Sequence, residues 1–402
     1  MRLDDVRVVD LTTLLPGPYG TQLLADLGAD VVKVEPVDSG DNARYTPPLT
    51  GDGHGALFDA VNRGKRSVAL DLKDERGREA LYELVATADA FVEQFRPGVV
   101  DRLGVDYDTL REHNPDLVYC SLSGYGQSGP KSGKAAHDLN YIGLAGLLDM
   151  TRESDEVKPQ MPGYPIADMA GGVFAAFSIV CALLSRELGG GTDGNGRRDT
   201  GSGEYVDCSL TDPVLSFSQS VAPLALSGED PRPGETALTG GYPWYDVYEC
   251  ADGRYVTIAA LEPGFWRGFC EAVDREDLLE FHMTDDEAEL AALREELEAL
   301  FASRTRDEWV EAIGDADATV DGVYTPAEAF EHPQVEAMEI VEEREGSLPR
   351  VGFPARGEGI PEGPLGDAPG HGEHTAELLR EVGLPEGTVD GLVEAGVAEV
   401  AR

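Results

Sequence analysis

Apolar side chains dominate Val6-Arg7-Val8-Val9-Asp10-Leu11, a turn follows at Leu15-Pro16-Gly17-Pro18, and Leu23, Leu24 and Leu27 then fall at helical spacing before a second β-branched run at Val31-Val32-Lys33-Val34. Gly28 follows the last periodic leucine as a C-terminal cap, and this strand–helix–strand spacing predicts two parallel strands. The pattern repeats. Ser67 to Leu70 reads as a strand, Glu75 to Ala88 as a helix, Ala90 to Glu93 as a strand, Tyr107 to Glu112 as a short helix and Val118 to Leu122 as a strand. Strands alternating with helices predict an α/β domain with a mostly parallel sheet, whose ligands sit beyond the carboxyl ends of the strands.

The pattern changes further on. Gly189 to Gly203 is too glycine-rich to hold a helix and has nothing apolar to bury, so it reads as an exposed loop. From Tyr242 to Ala260 short alternating strands surround the turn Ala251-Asp252-Gly253, and helices follow from about Gly264 to Glu311. This is an α+β pattern, and it places the start of a smaller second domain near residue 225. After Pro326 the chain is rich in Gly and Pro until a last predicted helix from Glu373 to Val382.

With 402 residues and 41% hydrophobic content the chain can bury a sizeable core. A formal charge of −44 spread along the whole length reads as a solvated acidic surface and argues against a nucleic-acid partner. Of the 32 basic residues six are Lys, the last being Lys158. A coat of carboxylates with little Lys suits a protein folded in concentrated salt, so a halophilic source is expected. The five cysteines are widely spaced with no metal-ligand rhythm, so no metal is expected. The N-terminus has no signal-peptide pattern and the apolar stretch Met169 to Leu184 is short for a bilayer span. The expectation is a cytoplasmic protein with no membrane role.

Three residues are candidates for chemistry. Asp168 stands before a long apolar helix that begins after Pro165. Asp is a preferred N-cap, but a carboxylate at the positive end of a helix is also held in place with its charged form favoured, and Gly171 and Gly172 leave backbone donors open to an anionic intermediate. His137 lies in Ala136-His137-Asp138-Leu139-Asn140-Tyr141, and Glu262 emerges from the apolar strand Val256 to Ala260. Basic residues concentrate in Asn62-Arg63-Gly64-Lys65-Arg66-Ser67 and recur at Phe95-Arg96-Pro97-Gly98, which suits either an anionic ligand or salt bridges to neighbouring acids. Gly124 to Pro130 is no Walker motif, and the first βα turn lacks the dinucleotide fingerprint.

Taken in order, the segments Val8 to Pro36, Asn62 to Ser67, Phe95 to Gly98, Gly124 to Pro130, Ala136 to Tyr141, Ala167-Asp168, Gly240-Gly241 with Pro243, Leu261-Glu262-Pro263 and Gly372-Glu373-His374-Thr375 resemble the family III CoA-transferases over essentially the whole chain. Within that family the His-Asp-x-Asn-Tyr and Glu-Pro segments most resemble the α-methylacyl-CoA racemases.

The resemblance implies an interlocked homodimer whose large Rossmann-like domain is built from both chain ends. On this sequence that gives 1–188 and 326–402 for the large domain, 189–224 for a linker and 225–325 for the small domain. It also implies an acyl-CoA thioester as substrate, a carboxylic acid as a second one for transfer, and no separate cofactor. Asp168 matches the family's catalytic aspartate, while His137 and Glu262 fall where racemases carry a second acid/base and its carboxylate partner. The CoA contacts carry over to Leu14, Leu15, Leu70, Lys73, Gln94, Phe95, Arg96, Arg102, Lys134, Ala136, Asp138, Leu139, Asn140 and Tyr141. One family feature is missing: Glu35 is followed by Pro36 and Val37 where an Arg is common, and Arg44 is the candidate substitute.

The first expectation is α-epimerisation of a 2-methylacyl-CoA, with His137 and Asp168 on opposite faces of the α-carbon and Glu262 orienting the imidazole. The second is CoA transfer from a donor such as succinyl-CoA to a short dicarboxylic acid, with Asp168 as nucleophile. A non-catalytic CoA-binding protein is the third.

Overall fold

The strands of the computed structural model are β1 (Arg7–Asp10), β2 (Asp30–Glu35), β3 (Arg66–Leu70), β4 (Ala90–Glu93), β5 (Val118–Ser123), β6 (Tyr205–Ser209), β7 (Tyr245–Glu249), β8 (Tyr255–Ala259), β9 (Val320–Gly322), β10 (Val341–Glu342), β11 (Arg350–Val351) and β12 (Ala398–Glu399). It describes residues 2–51, 53–152, 154, 156–189, 202–343, 348–361 and 366–401. The chain forms two units, one of Met1–Ala145, Gly163–Ser216 and Met338–Arg402, the other of Gly146–Pro162 and Phe217–Ala337.

In the first unit β1 to β6 run parallel in the order β3-β2-β1-β4-β5-β6, the order of a doubly wound dinucleotide-binding sheet, and β12 closes the β3 edge antiparallel. The central strands are covered on both faces, which is why β1, β2, β4 and β5 read as nearly continuous apolar runs. On one face Leu81, Leu84 and Val85 from the Glu75–Val85 helix join Leu378, Leu379 and Leu392 from the C-terminal helices Thr375–Glu381 and Glu386–Glu394. Both chain ends therefore share one core. The Glu386–Glu394 helix buries only Val389 and Leu392, and β12 is two residues long, so neither leaves a readable period in the sequence.

On the other face the Pro16–Asp26 helix packs against the 22-residue helix Ile166–Glu187. A Cβ on Gly20 would lie 2.6 Å from Gly172 O, and one on Gly172 would lie 2.5 Å from Pro16 O. Gly171 meets Leu210 in the same way, at 2.2 Å. These two glycines thus serve helix packing, whereas the sequence suggested open donors. The long helix is apolar and long enough to cross a membrane, but one face of it packs on the Pro16–Asp26 helix, β5 and β6.

The second unit pairs the antiparallel sheet β7-β8-β9 with the helices Pro263–Ala272, Glu287–Phe301 and Arg306–Ile313. Trp244, Trp266, Phe269, Phe301 and Trp309 fill its core. The sequence places the change near 225 and the return near 326, while the division falls at Phe217 and Met338. It also gives Gly146–Pro162 to the second unit, where Asp149 pairs with Arg232 at 3.1 Å, a link between residues far apart that no local pattern shows. Of the predicted loop Gly189 to Gly203, positions 190–201 lie outside the described residues.

Candidate active site

The strand order reverses between β1 and β4, and this is where a parallel sheet opens a crevice at its carboxyl edge. A cavity of about 380 Å3 lies there, walled by residues that follow β1 (Leu14, Pro16), β4 (Gln94 to Pro97), β5 (Gly124) and β6 (Leu210).

The loop after β1 is held from several sides. Leu14 has φ 65°, a left-handed conformation unusual for a leucine, and its N–H donates to the Asp41 carboxylate at 3.1 and 3.2 Å. Gln94 donates to Thr13 O at 2.8 Å and accepts from Gly17 N at 3.3 Å, tying the β4 end to the β1 end. A Cβ on Gly17 would sit 2.3 Å from Thr12 Cβ, so only glycine fits this bend. Behind Phe95, the buried Glu93 accepts the Phe95 N–H at 2.7 Å, and burial pushes its carboxyl up to about 7.

A short helix, Asp138–Leu144, closes another side. His137 precedes it, with its N–H donating to Asn140 Oδ1 at 3.1 Å. Tyr141 donates to Ala136 O at 3.0 Å and stands edge-on to Tyr125, and a Cβ on Gly124 would lie 2.5 Å from its hydroxyl oxygen. Burial, with the Asp168 charge nearby, pushes Tyr141 up to about 12.

Asp168 projects from the first turn of the Ile166–Glu187 helix into this cavity. It is not the cap. Asp138 Oδ1 instead accepts the N–H groups of Ala167 at 2.6 Å and Asp168 at 3.1 Å. The expectation that the helix end favours the charged form of Asp168 is overturned: burial, and then the charge of Asp138, push its carboxyl up to about 7. Such a group is populated as acid and as base at neutral pH, and its ionised form is a nucleophile.

Of the residues taken from the sequence, Leu14, Gln94, Phe95, Arg96, Lys134 and Ala136 line the cavity, as do His137, Asn140, Tyr141 and Asp168. Leu15, Lys73, Arg102 and Leu139 are not in its wall, Leu70 is buried in the core at 1% exposure, and the Asp138 carboxylate is turned to the helix start. Glu262 lies in the second unit as the N-cap residue of the Pro263–Ala272 helix. Pro16, from the predicted turn Leu15 to Pro18, also lines the cavity, as do Ser132 and Leu210, which no sequence pattern marks.

The cations singled out from the sequence sort into two groups. Arg44 pairs with Glu35 at 2.6 Å, donates to Pro369 O and stacks on Phe58, so the candidate substitute for the missing Arg is consumed by the fold. Lys65 pairs with Asp10, Arg66 with Asp30, Glu377 and Glu381, and Arg63 is buried and bonded to Leu348 O. Lys73, Arg96, Arg102 and Lys134 make no salt bridge among the described residues, although the chain has 76 acids. No cluster of three metal-ligating side chains occurs among the described residues.

Residues 3–375 match the model of CoA-transferase family III. The chain is 37% identical to succinyl-CoA:mesaconate CoA-transferase of Haloarcula marismortui over 96% of its own length and 98% of that protein. It is 34% identical to α-methylacyl-CoA racemase of Mus musculus, over 96% and 94%. A CAIB/BAIF family protein from Brucella suis has the same fold at a TM-score of 0.78 and 30% identity, over 94% of this chain and 98% of that one. A cavity at the switch point of the sheet, a helix-borne carboxyl within it and these full-length likenesses lead to one conclusion: the chain belongs to the family III CoA-transferases, an enzyme family whose members include both transferases and racemases.

Proposed function

We propose that this enzyme moves coenzyme A from an acyl-CoA donor such as succinyl-CoA to a short dicarboxylic acid, with Asp168 as the nucleophile. The observation that carries this is the single Asp168 carboxyl in a cavity that also presents Arg96 and Lys134, two cations without salt-bridge partners among the described residues of a chain of net charge −44. Free cations in so acidic a protein suit anionic ligands: the phosphates of CoA and a carboxylate acceptor. The likeness to succinyl-CoA:mesaconate and acetyl-CoA:oxalate CoA-transferases supports the same reading.

In this scheme an Asp168 oxygen attacks the thioester carbonyl, the C–S bond breaks and the CoA thiolate leaves, giving an acyl-aspartyl anhydride. The thiolate then attacks the aspartyl carbonyl, which releases the donor acid and leaves CoA on Asp168. The acceptor carboxylate displaces that thiolate to form a second anhydride. Return of the thiolate to the acceptor carbonyl forms the new thioester and restores Asp168. Atoms and charge balance at each step, and no external acid or base is required.

A second reading, α-epimerisation, is favoured by one observation: His137 lines the same cavity as Asp168. Two acid/base groups would then exchange the α-proton of a 2-methylacyl-CoA. The readings separate in D2O. Transfer expects no α-deuterium in a 2-methylacyl-CoA, new thioesters from succinyl-CoA and dicarboxylates, and an acyl-Asp168 species trapped by hydroxylamine. Rapid α-deuterium incorporation without any acceptor acid overturns transfer in favour of epimerisation.

We further infer that two copies pair through the Ile166–Glu187 helix. Val173, Phe177, Leu184 and Leu188 lie along one face at 42%, 62%, 55% and 61% exposure, an apolar stripe that a monomer would leave in water. Light scattering at high salt is expected to give twice the 43.0 kDa chain mass.

A further inference from the structure

The helix that carries Asp168 begins without a capping side chain of its own, since Pro165 stands at the N-cap. Two of its free N-terminal donors, at its second and third residues, are satisfied from another element. Asp138, the first residue of the Asp138–Leu144 helix, accepts from Ala167 N at 2.6 Å and Asp168 N at 3.1 Å through one oxygen. The turn that presents Asp138 is fixed in its own right, because the His137 N–H donates to Asn140 Oδ1 at 3.1 Å and the Asn140 N–H to His137 O at 2.8 Å.

We propose that Asp138 is a positioning residue for Asp168: its carboxylate locks the backbone from which Asp168 projects and holds a like charge beside the Asp168 carboxyl. The inference rests on the reading of Asp168 as the reacting group. Residue 138 takes the favourable site at the positive helix end, so Asp168 is left facing the cavity next to a negative neighbour. Asp138 accordingly acts after burial in pushing the Asp168 carboxyl up. The other titratable groups around the cavity are Tyr141 and His137 at the same short helix, Arg96 beyond β4 and Lys134 in the loop. None forms a salt bridge with Asp168 among the described residues.

The test separates charge from capping. Asp138→Asn keeps an acceptor oxygen and removes the charge, Asp138→Ser does the same with a shorter side chain should Asn not fold, and Asp138→Ala removes both. The Asp168 carboxyl is titrated by carbon-13 NMR, assigned by its loss in Asp168→Asn, and kcat and KM are followed across pH. The Asn and Ser variants are expected to lower the Asp168 midpoint by about one pH unit and to carry the acid limb of kcat/KM down with it. In Asp138→Ala kcat is expected to fall about tenfold or more with KM nearly unchanged, and Asn to restore most of it. An Asp168 midpoint equal to wild type in both Asn and Ser overturns the proposal. A midpoint that moves while the acid limb of the rate stays fixed upholds the positioning role and overturns the assignment of Asp168 as the reacting group.

Discussion

Lys65 Nζ lies 3.1 Å from Asp10 Oδ2 with both side chains out of solvent. The ammonium also donates to Thr21, Asn62 and Pro18 O at 2.7, 2.9 and 3.0 Å. Burial opposes the charge on both groups; for Asp10 the neighbouring Lys65 and Lys33 win and hold the carboxyl at about 2, while burial brings Lys65 down to about 8. The pair joins the end of β1, the Pro16–Asp26 helix and the start of β3.

Lys65→Met is therefore expected to destabilise the fold strongly. It removes the ion-pair partner of a buried carboxylate and leaves Lys33 as the remaining cation nearby, a loss of about 3–5 kcal/mol that urea unfolding at neutral pH measures. A midpoint within experimental error of wild type would show that Asp10 finds another partner.

Asp168→Asn is expected to abolish turnover while acyl-CoA affinity stays within about tenfold, because the substitution keeps the size of the side chain and removes a role confined to the reaction. Titration calorimetry with a non-reacting CoA analogue, beside a rate assay, checks both halves. Unchanged turnover removes Asp168 from the mechanism.

The same substitution has a pH-dependent effect on stability. Between the ordinary Asp value of 3.8 and about 7 the folded protein keeps a proton that the unfolded chain has released. The folded state binds more protons there, so stability falls as pH rises through that window and the loss is complete above it. After allowance for partial exposure the loss is on the order of 2 kcal/mol. Asp168→Asn should therefore melt higher than wild type at about pH 8 and close to it at about pH 4. Equal melting points at both pH values would mean that the carboxyl ionises freely in the fold.

A chain with 76 acidic and 32 basic residues carries a net negative charge that repels itself when salt is removed. Thermal melts across a KCl series are expected to rise steeply from low to molar salt, and a flat series counts against adaptation to concentrated salt.

The sequence by itself determined the strand and helix periods of the first unit, because strands buried on both faces must be apolar throughout and their helices must follow a 3.6-residue stripe. It also singled out Asp168, His137 and Arg96, whose residue types are costly or scarce where they stand. Tertiary structure decided what those residues meet. Asp138 and Asp168 are thirty positions apart, and their shared helix start exists only after two elements pack, so a local reading gave the cap to the wrong carboxylate. Gly171 and Gly172 looked like open donors, yet the crossing with Gly20 and Leu210 uses the space a side chain would fill. Arg63, Lys65 and Arg66 read equally as a site for an anion or as salt-bridge partners, and the fold decided for the second kind of role by giving each a partner distant in sequence. Periodicity reports which face a side chain takes, and partner identity depends on chain topology, which no local pattern contains.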